Sequence, residues 1–181
     1  TEFDESQQRV TIALPDGRTV GCRMDDPDDH QAFVDALFDY MGDACRGGPP
    51  RIVSASDHRF FDMPQDYLSL INLASVTDLG DTTGTVLDPI RFRANIYVSG
   101  LPAWEETALV GRELVCGDVR LQAAATIKRC AATSVNPDTG ETDVNVPFSL
   151  RQHYDTLEMG LYLEVLEGGT IETGMPLAPE R

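Results

Sequence analysis

From Ile90 onward the sequence is cut into short apolar runs by turn residues, and that punctuation leaves β-structure as the main option. The runs Arg93–Val98, Glu113–Cys116, Val119–Ile127 and Leu161–Leu166 each suit a strand. They are divided by pairs such as Gly117-Asp118 and Gly168-Gly169, where the chain can reverse. Asn136-Pro137-Asp138-Thr139-Gly140 reads as a further turn, because it lacks the acidic spacing and terminal Glu of a calcium loop. This half of the chain therefore predicts a barrel-like domain, mainly β in an α+β fold with a few short helices.

The first half is more mixed. Arg9–Leu14 and Arg18–Met24 form a predicted hairpin around Pro15-Asp16-Gly17, which supplies a fixed φ, a side-chain acceptor and a φ > 0 position. Asp26-Pro27-Asp28-Asp29 then gives an N-cap, an N1 proline and first-turn carboxylates. The helical spacing of Phe33, Val34, Leu37, Phe38 and Met41 extends that start into a helix over Pro27–Met41. Gly47-Gly48-Pro49-Pro50 breaks the chain, Arg51–Ser54 reads as a short strand, and Ser56–Asp66 as the loop joining two domains. Ser69–Ala74 suits a buried strand. Ser75-Val76-Thr77-Asp78 has the form of a capping box opening a short helix, which Gly80–Gly84 would end.

Composition narrows the partners. Fourteen Lys and Arg against 30 Asp and Glu leave a net charge of −16, which repels duplex phosphates and anionic lipid. Neither nucleic acid nor a membrane surface is an expected partner. The longest apolar stretches, Leu68–Leu73 and Leu121–Ile127, fall well short of the roughly 20 residues of a spanning helix. No basic n-region with an apolar h-region opens the sequence, so the cytoplasm is the expected compartment. The chain opens on Thr1 and enters a strand within ten residues, like a domain entered partway.

Positive charge is concentrated against that acidic trend. Arg91, Arg93, Lys128 and Arg129 account for four of the 14 basic residues and include the sole lysine. At alternate strand positions, Arg91 and Arg93 could aim their guanidinium forks at one anionic ligand; the same spacing also suits solvated surface. The cysteines at 22, 45, 116 and 130 show no CxxC spacing that would predict a zinc site, and a cytoplasmic setting keeps them reduced. Cys22, Cys45 and Cys116 read as inert buried thiols. Cys130 ends a strand and follows two cations, a setting that favours a thiolate able to act as nucleophile or soft-metal ligand. Hydrolase templates are absent: there is no Gly-x-Ser-x-Gly elbow and no His-Glu-x-x-His pair. A Cys130–His153 nucleophilic pair stays open, although nothing local supports it.

With these residues in hand, an ordered series of motifs emerges. It runs through Arg91-Phe92-Arg93-Ala94-Asn95-Ile96, Gly100-Leu101-Pro102-Ala103-Trp104-Glu105-Glu106, Gly111-Arg112 and Gly117-Asp118-Val119. It continues through Arg129-Cys130-Ala131-Ala132-Thr133, Asn136-Pro137-Asp138-Thr139-Gly140, Gly160-Leu161-Tyr162-Leu163-Glu164-Val165 and Gly169-Thr170-Ile171. The series resembles the MOSC domain, the family of the molybdenum cofactor sulfurase C-terminal domain. The resemblance covers residues 65–178, with residues 1–64 similar to a remnant of the β-barrel domain that precedes it in many members. It implies that Cys130 coordinates molybdenum and acts as the catalytic residue. It further implies that Arg93 and Asn95, with Arg91 and Arg129, hold the pterin and phosphate of a molybdopterin. Thr133 and Ser75 would be further polar contacts to the cofactor. The activity implied is an oxidoreductase that reduces N-hydroxylated compounds, served by an electron-transfer partner. A second reading is a sulfur-carrier module in which Cys130 bears a persulfide received from a sulfur donor, without redox turnover of its own.

Overall fold

The structure is a computed structural model, and it describes residues 1–54, 63 and 65–180. Internal contacts divide the chain into two compact units, Thr1–Arg59 and Phe60–Arg181.

The first unit holds strands β1 (Glu2–Asp4), β2 (Arg9–Ala13) and β3 (Thr19–Arg23) in one antiparallel sheet, and helix α1 (Pro27–Met41). The predicted hairpin is present with Ala13 opposite Thr19, closed by Leu14 N donating to Arg18 O at 2.7 Å. Gly17 takes φ +88° at its turn, a conformation that side chains with a Cβ resist. Helix α1 has the predicted bounds. Asp26 caps it by accepting from Asp28 N at 3.1 Å, and Pro27 stands at the first helical position. The predicted strand over Arg51–Ser54 is not formed. Two β-favouring residues, Ile52 and Val53, behind two prolines make no strand without a neighbour to bond to. Most of the Ser56–Asp66 loop lies outside the described residues.

The second unit is built on six strands: β4 (Leu68–Asn72), β5 (Ile96–Val98), β6 (Glu113–Cys116), β7 (Val119–Lys128), β8 (Glu158–Glu167) and β9 (Ala178–Pro179). Their order in the sheet is β5-β4-β8-β7-β6-β9. Among the described residues only β4 and β5 run parallel. Helices α2 (Leu73–Thr83) and α3 (Val146–Tyr154) complete it. The mainly β, α+β expectation holds, with the sheet curled into a half-barrel. Its curl accompanies register shifts along the β7–β8 ladder, where extra residues sharpen the local twist.

Alternation along β4 sorts the core into two layers. Leu70 joins Leu114, Leu121, Ala123, Leu161 and Leu163 inside the curl, whereas its neighbour Ile71 packs with Val76, Leu79, Phe92, Val146 and Leu150. Both residues are fully buried. Ile71→Val removes one methylene from the second layer and should cost about 1 kcal/mol in a urea titration. No helix among the described residues is long and apolar enough to cross a membrane.

Three local expectations are corrected. Arg93–Val98 is a strand only over Ile96–Val98, because Asp88 and Pro89 open a 3-10 turn over Pro89–Phe92. Asp88 caps that turn by accepting from Ile90 N. Helix α2 starts before the expected capping box: Asn72 is its cap, accepting from Ala74 N at 3.1 Å, and Ser75 lies inside the helix. The helix also runs through Gly80 and ends at Gly84, whose φ of +68° is the left-handed C-cap.

Candidate functional site

A cleft of about 340 Å³ opens in the second unit where the ends of β4 and β7, the face of β8 and two 3-10 turns converge. The turn over Pro89–Phe92 brings Arg91, Phe92 and Arg93 to it. The turn over Ala131–Ser134 begins directly after Cys130. Asn95, Lys128, Arg129, Cys130 and Thr133 also line it, as do Ser69, Tyr67 and Tyr162.

The two basic segments of the sequence therefore do meet, though not as two arginines on one strand face. Arg91 is buried; its Nη2 donates to Asp143 at 2.6 Å and its Nη1 to the Ser134 carbonyl at 3.4 Å. Arg93 is exposed, held at φ +50° as the cap of its turn, and has no ion-pair partner among the described residues. One arginine is thus an internal brace and the other a free cation at the cleft wall. Asn95 accepts from the Ser69 hydroxyl and backbone N–H, both at 2.9 Å, and this holds its side chain across the start of β4.

Arg129 is the most constrained group here. It is 8% exposed, donates from Nε to the Met159 carbonyl at 2.8 Å and from Nη1 to the Phe92 carbonyl at 3.2 Å, and lies over the Phe92 ring. No carboxylate faces it among the described residues. Burial pushes its pKa down to about 10, against smaller opposing effects of Tyr162, Cys130 and Tyr97. Arg91 and Arg129 both line this cleft, and each has a buried guanidinium nitrogen, Arg91 Nε and Arg129 Nη2, with no hydrogen-bond partner among the described residues. Buried donors are rarely left so, and a guanidinium is well suited to an anionic ligand.

Cys130 is exposed, whereas Cys22 and Cys116 are buried and Cys45 is half-buried. Its carbonyl is held by Thr133, which donates from Oγ1 at 2.8 Å and from its backbone N–H at 3.2 Å. Thr133 therefore fixes the backbone that presents the thiol. Among the described residues no cluster of three or more His, Cys, Asp or Glu could hold a metal ion. A single thiolate beside cations cannot cage a bare ion; it can take one coordination position on a metal already held by an anionic ligand. The residues present thus fit a phosphate-bearing, dithiolene-bound metal.

Ser75 is not among the cleft-lining residues. Fully buried, it donates to the Glu106 carboxylate at 2.8 Å and accepts from Trp104 N at 2.8 Å, and Asn72 Nδ2 also donates to Glu106 at 2.9 Å. This network ties the start of α2 to the Gly100–Glu106 motif, whose Glu106 received no role from sequence. Next to it, the Trp104 indole and the Tyr154 hydroxyl both donate to Asp78 Oδ2, at 2.8 and 2.7 Å. They hold the Asp78 carboxyl below its usual 3.8, Trp104 first and then Tyr154. A depressed folded-state pKa contributes stability that is present above the unfolded value and lost as pH falls through the folded one. The stability advantage of the native chain over Asp78→Asn should therefore be constant above about pH 5 and shrink as pH falls through the ordinary carboxyl value and below it, read by urea unfolding.

The second unit is a curled half-barrel whose cleft presents one exposed thiol beside guanidinium groups, donors chemically suited to a soft metal and an anion. The MOSC domain model matches residues 57–178, and the chain belongs to that family, which is associated with molybdenum cofactor binding. Similar proteins include mitochondrial amidoxime reducing component 2 of Rattus norvegicus, 31% identical over 122 residues, covering 61% of this chain and 36% of the relative. Mitochondrial amidoxime-reducing component 1 of Homo sapiens is 32% identical over 120 residues, covering 60% and 35%. The chain thus spans about a third of the length of these curated relatives. The solved structure of YiiM from Geobacillus stearothermophilus shares the fold with a TM-score of 0.50 at 20% identity, covering 63% of this chain and 54% of that one.

Proposed function

We propose that this chain binds the molybdenum cofactor in the cleft beside Cys130 and serves as the catalytic domain of an oxidoreductase that reduces N-hydroxylated compounds. Residues 65–178 form the MOSC domain in this reading, and residues 1–64 are the remnant of the β-barrel domain that precedes it. The observation that carries the proposal is one cleft lined by an exposed thiol and by two arginines that each keep a buried nitrogen without a partner among the described residues. The names of the amidoxime-reducing relatives support the choice of reaction.

Cys130 would supply the protein's ligand to the metal, with Thr133 holding its backbone. Arg93, Asn95 and Arg129 would hold the pterin and its phosphate, Arg129 through the nitrogen that now lacks a partner. When bound, the cofactor supplies two-electron redox chemistry, and the protein sets ligation, orientation and polarity. The reaction takes two electrons and two protons to convert an N–OH group to N–H and water. An electron-transfer partner would deliver the electrons.

Elemental analysis for molybdenum, with pterin fluorescence, on chain made in a host that synthesises the cofactor tests the proposal. Stoichiometric molybdenum is the expected result. A well-folded sample without molybdenum would overturn it and turn attention to a Cys130 persulfide, visible as a mass increase of one sulfur.

A further inference from the structure

Asp143 is not among the residues lining the cleft, yet it is tied to both of the turns that form the cleft. Its Oδ2 accepts from Arg91 Nη2 at 2.6 Å and from Asn136 Nδ2 at 2.8 Å. Arg91, whose side chain is 2% exposed, reaches from there to the carbonyl of Ser134, the last residue of the turn that follows Cys130. Arg91 itself belongs to the turn that Arg93 caps. One carboxylate, acting through one guanidinium, thereby couples the backbone presenting Arg93 to the backbone presenting Cys130.

The coupling depends on charge. Arg91 is buried with Asp143 as its counter-charge, and removing one partner of such a pair is strongly disfavoured. Arg91, and after it Asn136, holds the Asp143 carboxyl below its usual 3.8, so the pair is charged at neutral pH. Arg129 makes a second tie between the same two segments through the Phe92 carbonyl. Only Asp143, however, stands outside the cleft and can be changed without altering its lining.

We propose that Asp143 is a positioning residue for Cys130: through Arg91 it fixes the Cys130 turn against the Arg93 turn without touching the ligand of the cleft. The thiol's accessibility and orientation then depend on a side chain 13 positions downstream. Thr133 and Asp143 act on the same turn from its two ends, Thr133 on the Cys130 carbonyl and Asp143, through Arg91, on the Ser134 carbonyl.

Alkylation of Cys130 by iodoacetamide, followed by peptide mass spectrometry on the folded chain without cofactor, reads this directly. The result is independent of which group fills the cleft. Asp143→Asn should raise the Cys130 rate at least about threefold, and Asp143→Glu, which restores the charge, should return it to within about 1.5-fold of native. Arg91→Lys keeps the cation but loses the fork that reaches Ser134, so it should also accelerate labelling; it carries the test if Asp143→Asn does not fold. Cys116, buried in the same unit, is the internal control. Native-like Cys130 rates in folded Asp143→Asn and Arg91→Lys would overturn the proposal. So would Cys116 labelling that rises by the same factor, since that reports general loosening.

Discussion

Cys130→Ser should lower turnover of an N-hydroxylated substrate at least about 100-fold while leaving the fold intact. The reasoning starts from placement. Cys130 is exposed, and its structural ties run through its carbonyl to Thr133, not through its sulfur. Exchange of sulfur for oxygen therefore touches no core contact, and exposed substitutions of this kind usually stay within about 0.5 kcal/mol. The effect on chemistry is of another order. Changing only the groups that support a metal ligand costs about 10–100-fold in affinity or activity, so if Cys130 supplies the ligand atom, as proposed, its loss should reach at least the upper end. A hydroxyl is a hard donor that does not replace a thiolate on a soft, sulfur-bound metal. Steady-state kinetics beside thermal unfolding checks both halves, and X-ray absorption at the metal should show one sulfur neighbour fewer. Turnover near the native level in the serine variant would remove Cys130 from the metal.

The sequence revealed most where structure is set locally. The hairpin around Pro15-Asp16-Gly17 and the helix opened by Asp26-Pro27 depend on neighbours within a few residues, and both formed as read. The same cap-and-proline signature recurs at Asp88-Pro89 and at Asn145-Val146-Pro147, where it opens the 3-10 turn of Arg91 and helix α3. There it is outweighed: the segment after Arg91 carries a β-favouring run, and α3, only nine residues long, shows little helical spacing of its own. The Ser75-x-x-Asp78 pattern misplaced the start of α2 because Asn72 offered an equally good cap three residues earlier. Burial then committed Ser75 to Glu106.

The site was legible as a list of residues and less so as geometry. Charge concentration marked Arg91, Arg93, Lys128 and Arg129, and all four line the cleft. What no spacing rule could show is that Arg91 is braced by Asp143, 52 positions away, while Arg93 stays free. Tyr67 and Tyr162, whose rings lie 5.8 Å apart on the cleft, were missed for the same reason: they meet through strand pairing across most of the chain. Gly160 precedes the expected strand Leu161–Leu166, and only β8 over Glu158–Glu167 places it inside a strand, where a glycine often marks a bulge or a close backbone approach.

Gly160 is both, and its replacement should be the most destabilising single change near the site. Between the pairs Thr126–Leu161 and Lys128–Glu158, strand β8 spends one more residue than β7, so the ladder bulges there. Gly160 sits in that bulge at φ +78°, which L side chains adopt at a cost of about 1–2 kcal/mol. A Cβ at this position would collide with the Leu70 carbonyl of the neighbouring strand and lie 2.8 Å from Arg129 Nη2. Neither neighbour can yield easily: Leu70 is fully buried in the sheet, and Arg129 is held by the Met159 and Phe92 carbonyls. Overpacking of this kind adds about 1–3 kcal/mol, so Gly160→Ala should lose about 2–5 kcal/mol in all. That is a large share of a typical domain's stability. The absent side chain is what makes room for the Arg129 guanidinium, so whatever folded Gly160→Ala remains should also bind an anionic cofactor more weakly. Urea unfolding measures the first loss as a lower midpoint at unchanged slope, and molybdenum content per folded chain measures the second. A midpoint within experimental error of the native chain would mean that the bulge can relax, and that the slot for Arg129 does not depend on glycine.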